Sequence, residues 1–200
     1  MKIFAIGRNY AEHARELGNE VPEAPVIFMK PDTALLAPGE PFPYPPFSTE
    51  IHYEAEIVLR ISKRGRSVSI EDACSYYDAI TVGIDFTARD LQAKCKAKGL
   101  PWEIAKAFDG SAAVGTFVDV PTERDYRFSL RKNGDLCQDG TTGDMLHGCD
   151  ALIHSISQYF TLAPGDLVFT GTPSGVGPVT RGDRLEGYLG DTKLLTCEIR

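Results

Sequence analysis

Three carboxylates set in apolar segments carry the most specific chemistry in this sequence. Read as a strand, residues 51–61 alternate an almost wholly apolar face, Ile51, Tyr53, Ala55, Ile57, Leu59 and Ile61, with a face bearing His52, Glu54, Glu56 and Arg60. Glu54 and Glu56 then point the same way, about 7 Å apart by strand rise. Carboxylates that close repel unless positive charge lies between them, either a divalent cation or solvent with nearby Lys and Arg. On periodicity alone the plainer reading is a solvated face on a half-buried strand. Asp85 lies in a second, β-branched run, residues 80–86, where a carboxylate is costly unless paired or bound to metal. Taken together, Glu54, Glu56 and Asp85 make a hard, all-oxygen donor set. It suits Mg²⁺ or Mn²⁺, admits Ca²⁺, and is poor for structural zinc. Three protein ligands on an octahedral ion leave about three positions, which a 2-oxo acid or its enolate could share with water.

Other reactive residues sit near element ends. His13 and Glu16 share one face of a short polar helix spanning 10–17, capped by Asn9 with Glu12 and stopped at Gly18. Such a helix is marginal unless docked, and in isolation the pair is a surface ion pair. Arg89 and Gln92 fall in the first turns of a helix that Thr87 and Asp90 cap and Gly99 closes, so a site at the Asp85 junction would receive both. Lys106 is the only cation of residues 100–108 and either snorkels or faces a buried anion. The loop 170–177, Thr-Gly-Thr-Pro-Ser-Gly-Val-Gly, is no dinucleotide or P-loop motif, although its amides and hydroxyls could grip a carboxylate.

Short strands must position these groups. They are expected at residues 2–6, at Val26–Lys30, along 51–61 and 80–86, at 113–120, in a hairpin turning at Asn133-Gly134, at Leu167–Phe169, and in two closing strands around 187–191. Ser69 with Asp72 signals a helix to about Tyr77, and Asp150 a helix to Phe160. Prolines make 31–46 an extended loop. The pattern predicts one β-rich α+β domain over residues 1–200, with mixed sheets folded on each other.

Composition narrows the function classes. The 200 residues, 42% hydrophobic and 24% charged, suit a soluble domain with a real core. A formal charge of −7 argues against nucleic-acid binding through a basic surface. No apolar run reaches membrane-spanning length, and the opening run is too short for a signal-peptide core, so a cytoplasmic protein is expected. The 5 cysteines are scattered, odd in number and never spaced C-x-x-C, which fits reduced, structural thiols.

Gly7-Arg8-Asn9-Tyr10 with His13 and Glu16, Glu54-Ala55-Glu56, the run from Asp85 through Arg89 to Gln92, Lys98-Gly99-Leu100-Pro101-Trp102, Ala105-Lys106 and the 170–177 loop occur in one order along nearly the whole chain. This ordered set resembles the fumarylacetoacetate hydrolase family, and within it the short acylpyruvate hydrolase and oxaloacetate decarboxylase type. The resemblance implies a mixed β-sandwich or roll, usually a homodimer. It implies Glu54, Glu56 and Asp85 as ligands of Mg²⁺ or Mn²⁺ and Lys106 as the stabiliser of an enolate. Arg89, Gln92 and Thr172 become substrate contacts, and His13 with Glu16 a water-activating dyad on a lid helix, 10–17. The substrate implied is a small 2-oxo acid and the reaction cleavage of a C–C bond in a 3-acylpyruvate. Oxaloacetate decarboxylation, keto–enol tautomerisation, isomerisation of a 2-hydroxy-dienoate and a non-catalytic carboxylate- or metal-binding module are the alternatives. Nothing corresponds to the large N-terminal domain of the fumarylacetoacetase proper, so fumarylacetoacetate is not the expected substrate. His52 is left without a role.

Overall fold

Apolar alternation along the strands decides how the sheets layer. In chain order the strands are β1 (Ile3–Gly7), β2 (Val26–Lys30), β3 (Ile51–Tyr53), β4 (Ala55–Ile61), β5 (Tyr77–Asp85), β6 (Thr87–Ala88), β7 (Ala112–Val114), β8 (Val118–Asp119), β9 (Arg127–Lys132), β10 (Asp135–Thr141), β11 (Leu167–Phe169), β12 (Gly177–Pro178), β13 (Arg184–Leu189) and β14 (Thr192–Glu198). The helices are α1 (Ala11–Glu16), α2 (Arg89–Lys98), α3 (Glu103–Lys106) and α4 (Cys149–Tyr159). The structure, a computed structural model, describes residues 1–16, 18, 20–122 and 125–200.

The main sheet runs β2-β1-β11-β4-β5-β7, with β8 also pairing β5. β1 and β11 are parallel and every other pairing is antiparallel. The sheet curls until its two edges approach. Leu35, just after β2, bridges Ala112 of β7, and Lys30 Nζ donates to Ser111 Oγ at 3.0 Å. Alternate side chains therefore point into or out of a roll. Ile3, Ala5, Val58 and Phe169 pack inside. Phe4, Ile6, Ile57, Leu59, Ile80 and Val82 point outward, where Phe128, Leu130 and Leu185 of the β10-β9-β13-β14 sheet and Leu152, Ile153 and Ile156 of α4 cover them. A small third sheet, β12-β3-β6, closes one end. The fold is the β-rich α+β domain that the sequence pattern predicts, in the roll form that the resemblance implies.

Several elements depart from the sequence reading. The strand 51–61 breaks at Glu54, its two halves joining different sheets. The strand 113–120 is also two pieces, β7 and β8, and Gly115 between them lies so close to the Leu194 carbonyl that a Cβ there would approach its oxygen to 2.6 Å. The helix expected to reach Tyr77 is a single 3₁₀ turn, Ala73–Tyr76, since Tyr77 already begins β5. Gly187 lies inside β13 rather than in the closing turn. Three expected caps are spent on distant partners. Asn9 Nδ2 donates to the carbonyls of His147 (3.0 Å) and Thr170 (2.8 Å), Thr87 Oγ1 donates to Glu54 Oε1 (3.1 Å), and Asp150 accepts from the Tyr77 hydroxyl (2.9 Å). The Asn133-Gly134 hairpin holds, both residues at positive φ (55° and 94°). The helix read over 10–17 appears as α1, and Leu17 lies outside the described residues. None of the five cysteines is joined in a disulfide. Among the described residues no helix is long and apolar enough to cross a membrane.

Candidate metal centre and active cleft

The break at Glu54 builds the centre. The Glu54 carbonyl accepts the Asp85 N–H at 2.8 Å, which brings the start of β4 against the end of β5. The break leaves the Ala55 N–H to the buried side chain of Gln138, whose Oε1 accepts it at 2.9 Å. One oxygen each from Glu54, Glu56 and Asp85 lies within 4.8 Å of the others. The three residues are 5%, 1% and 1% exposed, so the solvated-face reading of this strand fails.

Cations meet only part of this negative charge. Lys106 Nζ stands 2.7 Å from Glu54 Oε2 and 2.7 Å from Asp85 Oδ2. Arg89 Nη2 lies 2.6 Å from Glu54 Oε1, and Lys30 Nζ 2.7 Å from Asp85 Oδ1. Among the described residues Glu56 has no ion-pair partner and accepts only the Gly171 N–H, at 2.6 Å. Burial, reinforced by Asp85 and Glu54, pushes its carboxyl well above the usual range. Burial acts the same way on Glu54, but Lys106 and Arg89 outweigh it and hold that carboxyl well below its usual value. Burial alone would lower the Lys106 ammonium, yet Asp85 and Glu54 raise it. At Lys30 burial prevails over Asp85 and the pKa falls. A buried cluster of three carboxylate oxygens, one residue of it lacking any cation, fits a hard divalent ion.

Beside the cluster a cleft of about 30 Å³, room for a water or two, is lined by His13, Glu54, Arg89, Gln92, Lys106 and Thr172. These residues arrive from five different segments, Arg89 and Gln92 both from α2. His13 Nδ1 is 3.2 Å from Glu16 Oε2, and His13 itself is 5% exposed. Glu16 in turn accepts the Gly175 N–H at 3.1 Å, which joins α1 to the glycine-rich loop. Gly175 has φ +94°, and a Cβ there would lie 2.4 Å from the Cys137 carbonyl oxygen, so only glycine fits. Arg89 Nη1 donates to Gln92 Oε1 at 2.6 Å, and Gln138 Nε2 donates to Thr172 Oγ1 at 2.8 Å. All nine candidate residues therefore meet in one place, eight of them directly at the cluster or cleft and Glu16 through His13.

Sequence reasoning missed four contributors. Lys30 reaches Asp85 from the far edge of the sheet, and its only signal is a lysine sharing a strand face with Phe28. Gln138 carried no signal. Arg8 and Lys96 line the same cleft. Arg8 belongs to the quoted Gly-Arg-Asn-Tyr run without having received a role. His52 sits beside the site, its Nε2 2.9 Å from Glu50 Oε1.

Residues 2–200 match the family described as fumarylacetoacetate (FAA) hydrolase C-terminal. The human mitochondrial oxaloacetate tautomerase FAHD1 is 40% identical over 98% of this chain and 90% of its own length. Fumarylpyruvate hydrolase from Pseudomonas aeruginosa, solved with Mn²⁺ and pyruvate, superposes with a TM-score of 0.93 at 38% identity, covering 100% of this chain and 89% of that one. A 5-carboxymethyl-2-hydroxymuconate delta-isomerase from Mycobacterium smegmatis gives 0.88 at 35% identity, covering 99% and 78%.

Proposed function

This chain belongs to the fumarylacetoacetate hydrolase family of enzymes, and from that premise we propose that it is a divalent-metal-dependent hydrolase cleaving a C–C bond in 3-acylpyruvates. The observation that carries the reading is the His13–Glu16 pair on the wall of the cleft that also presents the carboxylate cluster. Glu54, Glu56 and Asp85 would hold Mg²⁺ or Mn²⁺, which when bound supplies Lewis-acid polarisation of the 2-oxo acid.

The remaining work falls to the chain's own side chains. Thr172 Oγ1 accepts from Gln138, so its own hydroxyl hydrogen is free to donate to the substrate carboxylate. The Gln92 carbonyl is committed to Arg89, which leaves its NH₂ for the same carboxylate. With Nδ1–H donated to Glu16, His13 presents a lone pair at Nε2 and takes a proton from water. The water oxygen bonds to the distal carbonyl carbon. The C–C bond on the pyruvate side then breaks, its electron pair leaving as the pyruvate enolate. Lys106 has three N–H donors, two of them spent on Glu54 and Asp85, and the third meets the oxygen where the enolate charge collects. Protonation of the enolate completes a carboxylic acid and pyruvate.

A second reading is action on oxaloacetate, of which tautomerisation is favoured by the name of the human relative and decarboxylation is the alternative. It uses Lys106 in the same way but needs no attacking water. The test is turnover of acetylpyruvate, fumarylpyruvate and oxaloacetate with Mg²⁺ and Mn²⁺, in wild type and His13→Ala. Hydrolysis by the variant should fall by about 10²–10⁴-fold, as loss of a general base does, while oxaloacetate decarboxylation survives. Undiminished hydrolysis would refute the dyad.

A further inference from the structure

The cleft holds more positive charge than the carboxylate cluster uses. Arg89 and Lys106 are paired with Glu54, but Arg8 forms no ion pair among the described residues. Its Nε is buried and has no hydrogen-bond partner, and the Arg89 Nε is in the same condition. A buried guanidinium N–H with no acceptor is expensive, so native proteins rarely leave one without a purpose. The Arg8 backbone is also unusual, at φ +60°, a left-handed conformation that costs a non-glycine residue energy and tends to persist at functional sites. Lys96 stands on the same wall, its Nζ 6.0 Å from the centre of the Trp102 ring. Burial lowers the Lys96 ammonium, and the charges of Arg8 and then Arg89 lower it further, so these cations share one small volume.

We propose that Arg8, supported by Lys96, is a second anion subsite in the cleft, which selects 2-oxo acids carrying a second, distal carboxylate. This rests on the reading of the carboxylate cluster as the place where the 2-oxo acid head binds. The head group meets Thr172, Gln92 and Lys106, and the far end of a diacid supplies the acceptor that Arg8 lacks. A monoacid of the same length leaves the buried Nε of that guanidinium without an acceptor. Selection then follows from the cost of an unmet buried donor more than from attraction, the asymmetry that makes polar recognition selective.

Calorimetry with the Mn²⁺-loaded protein tests this without turnover, using oxalate, 2-oxoglutarate and 2-oxopentanoate, the last two differing at the distal carboxylate. Wild type should bind 2-oxoglutarate at least tenfold more tightly than 2-oxopentanoate. In Arg8→Gln the ratio should fall to about one, and Arg8→Lys should restore part of it, because an ammonium keeps the charge but not the guanidinium's fork. Oxalate occupies only the head position and reports that the variants keep an intact cluster. Equal binding of the two longer acids by wild type overturns the subsite, as does an unchanged ratio in Arg8→Gln. Failure of wild type to bind oxalate at all overturns the head-group reading, and the subsite with it.

Discussion

Asp85 is held by two lysines, and their different sources show how a single residue is priced in this interior. Lys106 arrives from the short helix α3, close to the cleft, while Lys30 comes from the opposite edge of the curled sheet with no side-chain exposure at all. Lys30 also donates to the carbonyls of Lys106 and Ser111, so it ties the sheet edges together as well as neutralising the carboxylate. Removing one partner of a buried pair strands the other charge. Lys30→Met should therefore cost about 3 kcal/mol of unfolding free energy, at the low end for such losses because Lys106 remains. Urea denaturation of the metal-free protein measures it, and a loss below 1 kcal/mol would show that Asp85 does not depend on Lys30. Asp85 and Lys106 are readable in the sequence because each interrupts an apolar run that would otherwise exclude charge. Glu54 and Glu56 lie on the polar face of their strand and read as ligands only beside Asp85, Lys106 and the ordered family motifs. Lys30 was not readable, because a lysine closing a strand is ordinary until the curl of the sheet is known. Gln138 was hidden for the same reason, its partners Ala55 and Thr172 lying far along the chain.

Among the elements, α1 is the one on whose docking the proposed hydrolysis depends. Six residues cannot sustain a helix alone, and this one buries only His13 and Ala14. Its entry is anchored by Asn9, which holds His147 and Thr170, whereas its far end is joined to the glycine-rich loop through Glu16 and Gly175. That asymmetry suits a lid hinged at Asn9. Oxalate binding should slow hydrogen exchange across residues 11–16, and equal protection with and without oxalate would refute the lid. Gly175→Ala should release Glu16 and lower kcat for hydrolysis by at least tenfold while leaving Mn²⁺ affinity intact, since the loop must move away from the Cys137 carbonyl. A variant with unchanged kcat would show that this tether is dispensable. The helix was legible from Asn9 to Gly18, but the use of Asn9 was not. Local spacing suggests a cap, and only the tertiary fold reveals that distant carbonyls claim the same amide. The broken strand at Glu54 follows similar logic: its alternation was read correctly, yet the change of sheet depends on β5 and β12 as neighbours.

At the scale of the whole molecule, curling the main sheet does two things at once. It seals a small apolar interior, and it gathers Lys30, Asp85, Glu56 and Lys106 at one place, although they lie on elements far apart in sequence. The surface beside α2 and α3 carries an apolar patch of Phe47, Leu91, Ile104 and Phe108. With the family resemblance this leads us to expect a homodimer, which sedimentation would reveal as twice the chain mass; a monomer at micromolar concentration would exclude it. A β-rich α+β domain is legible from short alternating strands and one clear hairpin, and the roll only from the family resemblance, while its closure is not, because no local pattern states which edges meet. The central claim is that Glu54, Glu56 and Asp85 hold the divalent ion on which cleavage depends. It is tested most directly by measuring pyruvate release from fumarylpyruvate by chelator-stripped protein, before and after Mn²⁺ is returned, in wild type and Glu56→Gln. Wild type should fall silent when stripped and recover fully with Mn²⁺, while Glu56→Gln stays at least a hundredfold slower. Full activity in stripped protein, or a Glu56→Gln variant as fast as wild type, would contradict the account.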